Sequence, residues 1–339
     1  GLGIPAEPLF RSSYSSDKGS TWTQETITEG RVGSYVIENL TVGTEYNIKT
    51  KVRRKSNQLV SESSTMVAST YRYPYAELMP DFTIGNSVIV VVSNPLNHTI
   101  TVELLDANNN SVKGYQIAAS VIVGYDDVDT QNALYQSIPN SKRGQYKIRV
   151  TYNSHVSTNT GGYYEVNENE CKPIITSTSY RDINPTSVAI TQNDQHIVRN
   201  QSQVEYTATG VTGQKGATIQ SCSVSVDGTS YNLTLSGDTA SGGNATINSA
   251  REILVSFLVT DSRGLTSRKT RLMPILNWQP PTAIITLKRQ SNFYTETDLK
   301  VNADYSSIGG HNTITITYRA RKSGEGQYTV SGTVQDNDS

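Results

Sequence analysis

Apolar and polar residues alternate with a period of two along most of this chain, and no other feature restricts its fold so tightly. In Tyr146-Lys147-Ile148-Arg149-Val150-Thr151-Tyr152, the apolar and aromatic residues fall on one face and Lys147, Arg149 and Thr151 on the other. Residues 99–104, 299–303 and 313–318 repeat the pattern. A segment of this kind puts one face on a core and the other in water, as antiparallel sheets do. Turn signals punctuate the runs every 8–12 residues or so. Examples are Asp17-Lys18-Gly19, Asn94-Pro95, Asn108-Asn109-Asn110 and Gly309-Gly310. Asp227-Gly228 stands between two alternating runs, 223–226 and 231–235. It predicts a type I′ hairpin, because that turn needs positive φ at both central residues. No convincing amphipathic helix is found. Residues 250–254 could form one turn, but they run straight into a strand at 255–259.

The polarity of the chain comes from Ser, Thr and Asn, roughly a third of its residues, well above ordinary use. Tyr outnumbers Phe by 20 to 4. Thr and Tyr suit a pleated surface that is half wet. With 29 basic against 30 acidic residues, no charge excess exists to neutralise phosphates, so a general nucleic-acid partner is not expected. Only 17% of residues are charged, which argues against charge-driven disorder. The longest purely apolar run is residues 88–92, far short of a helical membrane span. The first residue is Gly1 and no signal peptide is seen, so the chain is expected to be processed or to be a piece of a longer one.

A chain of 339 residues is too long for one sandwich and long enough for three or four. Composition suggests four modules. The first covers 1–70, closed by Tyr71-Arg72-Tyr73-Pro74-Tyr75, where the proline interrupts pairing. The second covers 71–170 and the third 171–277. Trp278-Gln279-Pro280-Pro281 is then a stiff joint, and a partial module of three or four strands follows over 278–339.

Chemistry-bearing residues are sparse. His98, His155, His196 and His311 have no ligand-type partners at i+2 or i+4, so solvated loop positions are expected for them rather than a metal or nucleophilic site. Asp126, Asp127 and Asp129 form the one acidic knot. Alternating carboxylates can hold Ca²⁺, but the EF-hand spacing, glycine and terminal glutamate are missing, and a solvated turn is the alternative. Tyr71, Tyr73 and Tyr75 could stack on sugar rings, pack against another chain, or fill the joint between modules. Cys171 and Cys222 are too few for a disulfide framework. They could bridge two sheets or stay as free thiols, Cys222 then behaving as a small core hydrophobe. Arg53-Arg54-Lys55 reads as a solvated hairpin tip. No phosphate loop, zinc-protease, nucleophile-elbow or CxxC motif occurs. No catalytic residue and no cofactor is therefore expected, and the chain is expected not to be an enzyme.

Residues 39–50, Asn-Leu-Thr-Val-Gly-Thr-Glu-Tyr-Asn-Ile-Lys-Thr, resemble the E–F corner of fibronectin type III domains. In that family a tyrosine locks the corner through its back-bonded hydroxyl. Leu40, Gly43, Thr44 and Tyr46 match, and Val42 stands where proline is usual. The family's first two strands, with their buried tryptophan, have no counterpart here, and Trp22 does not replace it. A second resemblance is to minor tail proteins of bacteriophages of Gram-positive hosts. It rests on Pro80-Asp81-Phe82-Thr83-Ile84-Gly85, Asn94-Pro95-Leu96, residues 134–140, residues 144–152 and the hairpin at 259–267. Together they imply an all-β chain of tandem Ig-like and fibronectin III-like sandwiches in an extended array. They imply a virion tail or tail-fibre component, in contact with other tail proteins, present in many copies or as a homo-oligomer, and able to meet host-surface glycans. A bacterial surface adhesin and the accessory region of a secreted glycosidase are the alternatives, since a fold alone does not fix function.

Overall fold

The computed structural model describes residues 8–25, 37–54, 60–78, 80–289, 291–293 and 295–334. The chain divides into two compact units. One comprises Gly1–Ile138 with Arg143–Val166, the other Pro139–Lys142 with Asn167–Ser339. Both are built of β-strands, as the alternation requires.

The first unit begins with a sheet ordered Thr23–Glu25, Pro8–Ser15, Glu45–Arg54, Val60–Glu62, with Met66–Ser69 also paired to Glu45–Arg54. The Tyr46 hydroxyl accepts a 2.8 Å hydrogen bond from Thr41 N. This is the back-bonded corner expected from residues 39–50. Gly43 turns the chain there at φ +71°, a conformation that costs glycine no Cβ clash. The Tyr14 ring meets Tyr46 edge-on at 5.7 Å, a favourable arrangement for two ring quadrupoles. Lys55 of the basic tip lies outside the described residues.

Two further sheets of this unit form a sandwich. One runs Ser111–Ile117, Ile100–Leu105, Arg143–Tyr152, His155–Glu165, Phe82–Thr83. The other runs Val121–Gly124, Val88–Ser93, Tyr75–Leu78. The alternation read from the sequence becomes burial: Tyr146, Ile148 and Val150 point inward, with Val102, Leu104, Val90 and Val92. Tyr146 donates its hydroxyl to Pro80 O at 2.7 Å, so a large ring can be buried without orphaning its polar end.

The expectation of strands alone needs correction. Helix α1 spans Val128–Ser137, α2 Glu168–Cys171 and α3 Pro185–Thr191. Each starts at a short polar side chain that accepts a backbone N–H: Asp127 for α1, Asn167 for α2, Asn184 for α3. Such caps satisfy donors that a helix start leaves unpaired. In α1 only Thr130, Leu134 and Tyr135 are buried. That narrow stripe, too short for a clear 3.6-residue period, hid the helix in the sequence.

The second unit is dominated by seven strands in the order Ser177–Asp182, Gln203–Thr209, Thr239–Thr246, Thr229–Ser236, Ile219–Val226, Ile253–Asp261, Thr266–Met273. They enclose one core, including Tyr206, Val224, Phe257, Val255 and Met273. The path curls until its two ends meet through side chains. Lys269 Nζ donates to Thr176 O at 2.7 Å, and Arg271 to Thr178 O at 2.8 Å. Carbonyls of an open strand edge are thereby satisfied. The predicted hairpin is present, with Asp227 at φ 47° and Gly228 at φ 80°, pairing Val226 with Thr229. Beyond residue 278 the described strands form two separate pairs, Thr282–Arg289 with Thr297–Asp304 and Thr317–Ala320 with Val330–Thr333.

Candidate functional site

Residues 71–74 of the joint segment and the Asn94-Pro95-Leu96 turn line one cleft in the first unit, together with His98 and Tyr152. Local chemistry fixes each wall. Pro74 is buried and anchors the segment, which leaves Tyr71 58% and Tyr73 43% exposed on either side. Asn94, buried to 2% exposure, folds the opposite wall. Its Nδ2 donates to His98 O at 2.9 Å, and its Oδ1 accepts from His98 N at 3.1 Å. This reciprocal pair holds Pro95 and Leu96 out as a rigid loop.

Two ring stacks stiffen the cleft. Tyr73 lies on His155 with centroids 3.8 Å apart, and His98 on Tyr152 at 4.3 Å. Two histidines expected as solvated loop residues are thus packing partners of tyrosines. A tyrosine ring covering each imidazole explains the difference. Tyr75 is half-buried, part of strand Tyr75–Leu78 that pairs with Val88–Ser93. Of the three tyrosines, Tyr71 and Tyr73 are at the cleft and Tyr75 is a sheet residue. Sequence reasoning missed Arg72, Asn94, His98, Tyr152 and His155 as neighbours. The Asn94-Pro95 turn was the one signal available, because the ring partners lie far apart in the chain.

The acidic knot is placed differently. Asp126 Oδ2 accepts from Ser87 Oγ at 2.6 Å. Asp127 caps α1, accepting from Thr130 N at 3.1 Å and Thr130 Oγ1 at 2.8 Å, and faces Lys113 at 3.4 Å. The bonds from Thr130 hold its carboxyl below the usual range. Asp129 is in the first turn of α1, where a negative charge favours the helix dipole. Among the described residues no three His, Cys, Asp or Glu are grouped as metal ligands would be.

Cys171 and Cys222 are buried free thiols. Burial pushes both above the ordinary thiol range. Cys171 donates to Asn167 O, and Cys222 is in the second unit's core. His196 and His311 have ring centroids 5.6 Å apart.

Buried carboxyl groups in the second unit serve structure. Asp182, 3% exposed, accepts from Asn184 N at 2.9 Å, Gln203 N at 3.1 Å, Ser202 Oγ at 2.5 Å and Ser187 Oγ. Asp261 Oδ1 takes the N–H groups of Arg263 and Leu265 and shapes the hairpin. The Arg263 guanidinium donates to Gln214 O and Lys215 O. Asp182 is thus occupied by backbone and hydroxyl donors, as buried polar groups usually are, whereas the buried Oδ2 of Asp261 has no hydrogen-bond partner among the described residues.

Tandem β-sandwich sheets with an exposed aromatic cleft define the chain as a modular all-β protein. It belongs to a family of siphovirus proteins of unknown function (DUF859), whose profile matches residues 79–335. It is therefore a phage protein. No curated protein matches it. Among solved structures, the first three fibronectin domains of chicken CNTN1 are 10% identical, covering 81% of this chain and 91% of that one, with a TM-score of 0.25. Fibronectin(III)-like modules of Clostridium thermocellum CbhA are 11% identical, over 60% and 95%, at 0.23. A solved chain from a structural study of a 1.5-MDa bacterial ice-binding adhesin is 10% identical, covering 80% of this chain and 87% of that one, also at 0.23. No helix among the described residues is long and apolar enough to cross a membrane.

Proposed function

We propose that the protein is a non-enzymatic structural component of a siphovirus tail or tail fibre. It acts there as a spacer of serial sandwich modules, in contact with other tail proteins and present in many copies. Its exposed loops take part in recognising the surface of a Gram-positive host. Membership of the siphovirus family carries this reading. The chemistry of the fold supports it: sheets that bury their own cores can be threaded in series without depending on a catalytic cleft. The Ser-, Thr- and Asn-rich surface is nearly neutral overall, with net charge −1, which suits a particle exposed to changing salt.

Peptide mass spectrometry of gradient-purified particles, after heads and tails are separated, tests the assignment. Recovery of this chain with the tails, at several copies per tail, is the expected result. Its presence only in the soluble lysate of infected cells would reject it.

A further inference from the structure

Among the described residues, the cleft beside Tyr73 carries a cation that no carboxylate answers. Elsewhere in the first unit, Lys51 meets Glu62 at 3.4 Å, Lys113 meets Asp127 at 3.4 Å, Arg143 meets Asp81 at 2.8 Å, and Arg149 meets Glu103 at 2.6 Å. Arg72 is exposed and has no ion pair among the described residues. Among the described residues no Asp or Glu lines the cleft. The Arg72 stem lies against Gly43, where a Cβ would sit 2.4 Å from Arg72 Cγ. The Arg72 stem is therefore packed on the backbone at Gly43, and Arg72 lines the cleft without an ion pair among the described residues.

The Tyr71 and Tyr73 rings beside it are exposed. Tyr73 is fixed by its stack on His155, so little rotamer freedom remains to be lost on binding. An aromatic platform with an apolar face and a polar edge suits a ligand that shows both C–H and O–H groups, as a pyranose does. A planar guanidinium suits a phosphate or carboxylate, which it can hold through two parallel bonds.

We propose that this cleft binds an anionic saccharide residue, a pyranose bearing phosphate or carboxylate, with the ring on Tyr71 and Tyr73 and the anion on Arg72. The inference rests on the host-recognition reading for its biological use, but its chemistry stands apart from where the protein sits in the particle. One platform and one guanidinium make a weak site, and many copies would raise avidity.

Titration of the full chain with glucose 1-phosphate, glucuronate, glucose and inorganic phosphate, followed by NMR or calorimetry, tests it. Glucose 1-phosphate or glucuronate is expected to bind saturably, about tenfold tighter than glucose or inorganic phosphate, a difference of ~1.4 kcal/mol. Which of the two binds tells phosphate from carboxylate. Arg72→Gln should erase the preference over glucose, and Tyr73→Ala should weaken every sugar. Tyr163→Ala, an exposed ring outside the cleft, should change nothing. Thermal melting of each variant checks that it is folded. Absence of saturable binding, binding of inorganic phosphate as tight as the phosphosugar, or unchanged binding by folded Arg72→Gln and Tyr73→Ala would overturn the proposal. Those results would leave the tail assignment untouched, since that is decided on purified particles.

Discussion

Thr41 N donates to the Tyr46 hydroxyl across the corner that begins strand Glu45–Arg54, at 2.8 Å. Thr70 closes the same corner from the other side: its Oγ1 donates to Thr41 O at 2.6 Å and accepts from Thr44 N at 3.0 Å. One phenol and one hydroxyl thus fix the loop. Tyr46→Phe keeps the ring and its packing on Tyr14 but leaves Thr41 N without its acceptor. Its thermal midpoint for the first sheet is expected to fall by roughly 5 °C. Thr70→Val should lower it further, and differential scanning calorimetry reads both.

Asp182 gathers four donors in a buried site. Asp182→Ala strands two backbone N–H groups and two hydroxyls. It is expected to destabilise the second unit by about 3 kcal/mol, as losing a shared acceptor at several buried donors should. Urea unfolding followed by fluorescence measures the shift.

Asp127 is a helix cap, so Asp127→Ala should cost about 1 kcal/mol through loss of the α1 start. Asp127→Asn should recover most of that, because an amide oxygen also caps. A calcium titration of the native chain should leave the melting curve unmoved. A calcium-dependent rise that Asp127→Ala and Asp129→Ala both abolish would instead make the knot a cation site.

Glu103 receives Arg149 Nε at 2.6 Å and a second Arg149 nitrogen at 2.8 Å. The hydrogen bond from Arg149 is the main reason its carboxyl is held below the ordinary range. The native state therefore binds this proton less readily than the unfolded chain does. Its contribution to stability is complete above the unfolded glutamate value of about 4.3 and is lost as pH falls through the lowered native value. Melting temperatures of the first unit should decline over that acid interval, and the decline should be shallower in Arg149→Met. An identical profile in the variant would show that the pair does not titrate with folding.

Both thiols are buried, so the native chain should show almost no reaction with an aromatic disulfide reagent. Two equivalents per chain should appear in denaturant. Fast reaction of either in the native state would contradict the packing around Cys171 or Cys222.

The fold was largely legible because period-two burial is a local property. Tyr146, Ile148 and Val150 alternate in the sequence and alternate in the core. Asp227-Gly228 and the corner around Tyr46 were legible for the same reason, since each is a short segment with strict backbone needs. The helices were not, because α1 rests on one cap and a few buried side chains rather than a long apolar stripe. The cleft was half legible. Tyr71 and Tyr73 stood out by composition, but Tyr73–His155 and His98–Tyr152 are made by tertiary packing between distant segments. No sequence period encodes such a pair.

Electron microscopy of intact particles, with gold-labelled antibody against this chain, tests the central assignment most directly. Gold along the tail or at its fibres is predicted. Gold confined to the head, or particles that bind no antibody after tail proteins are shown to be present, would contradict it.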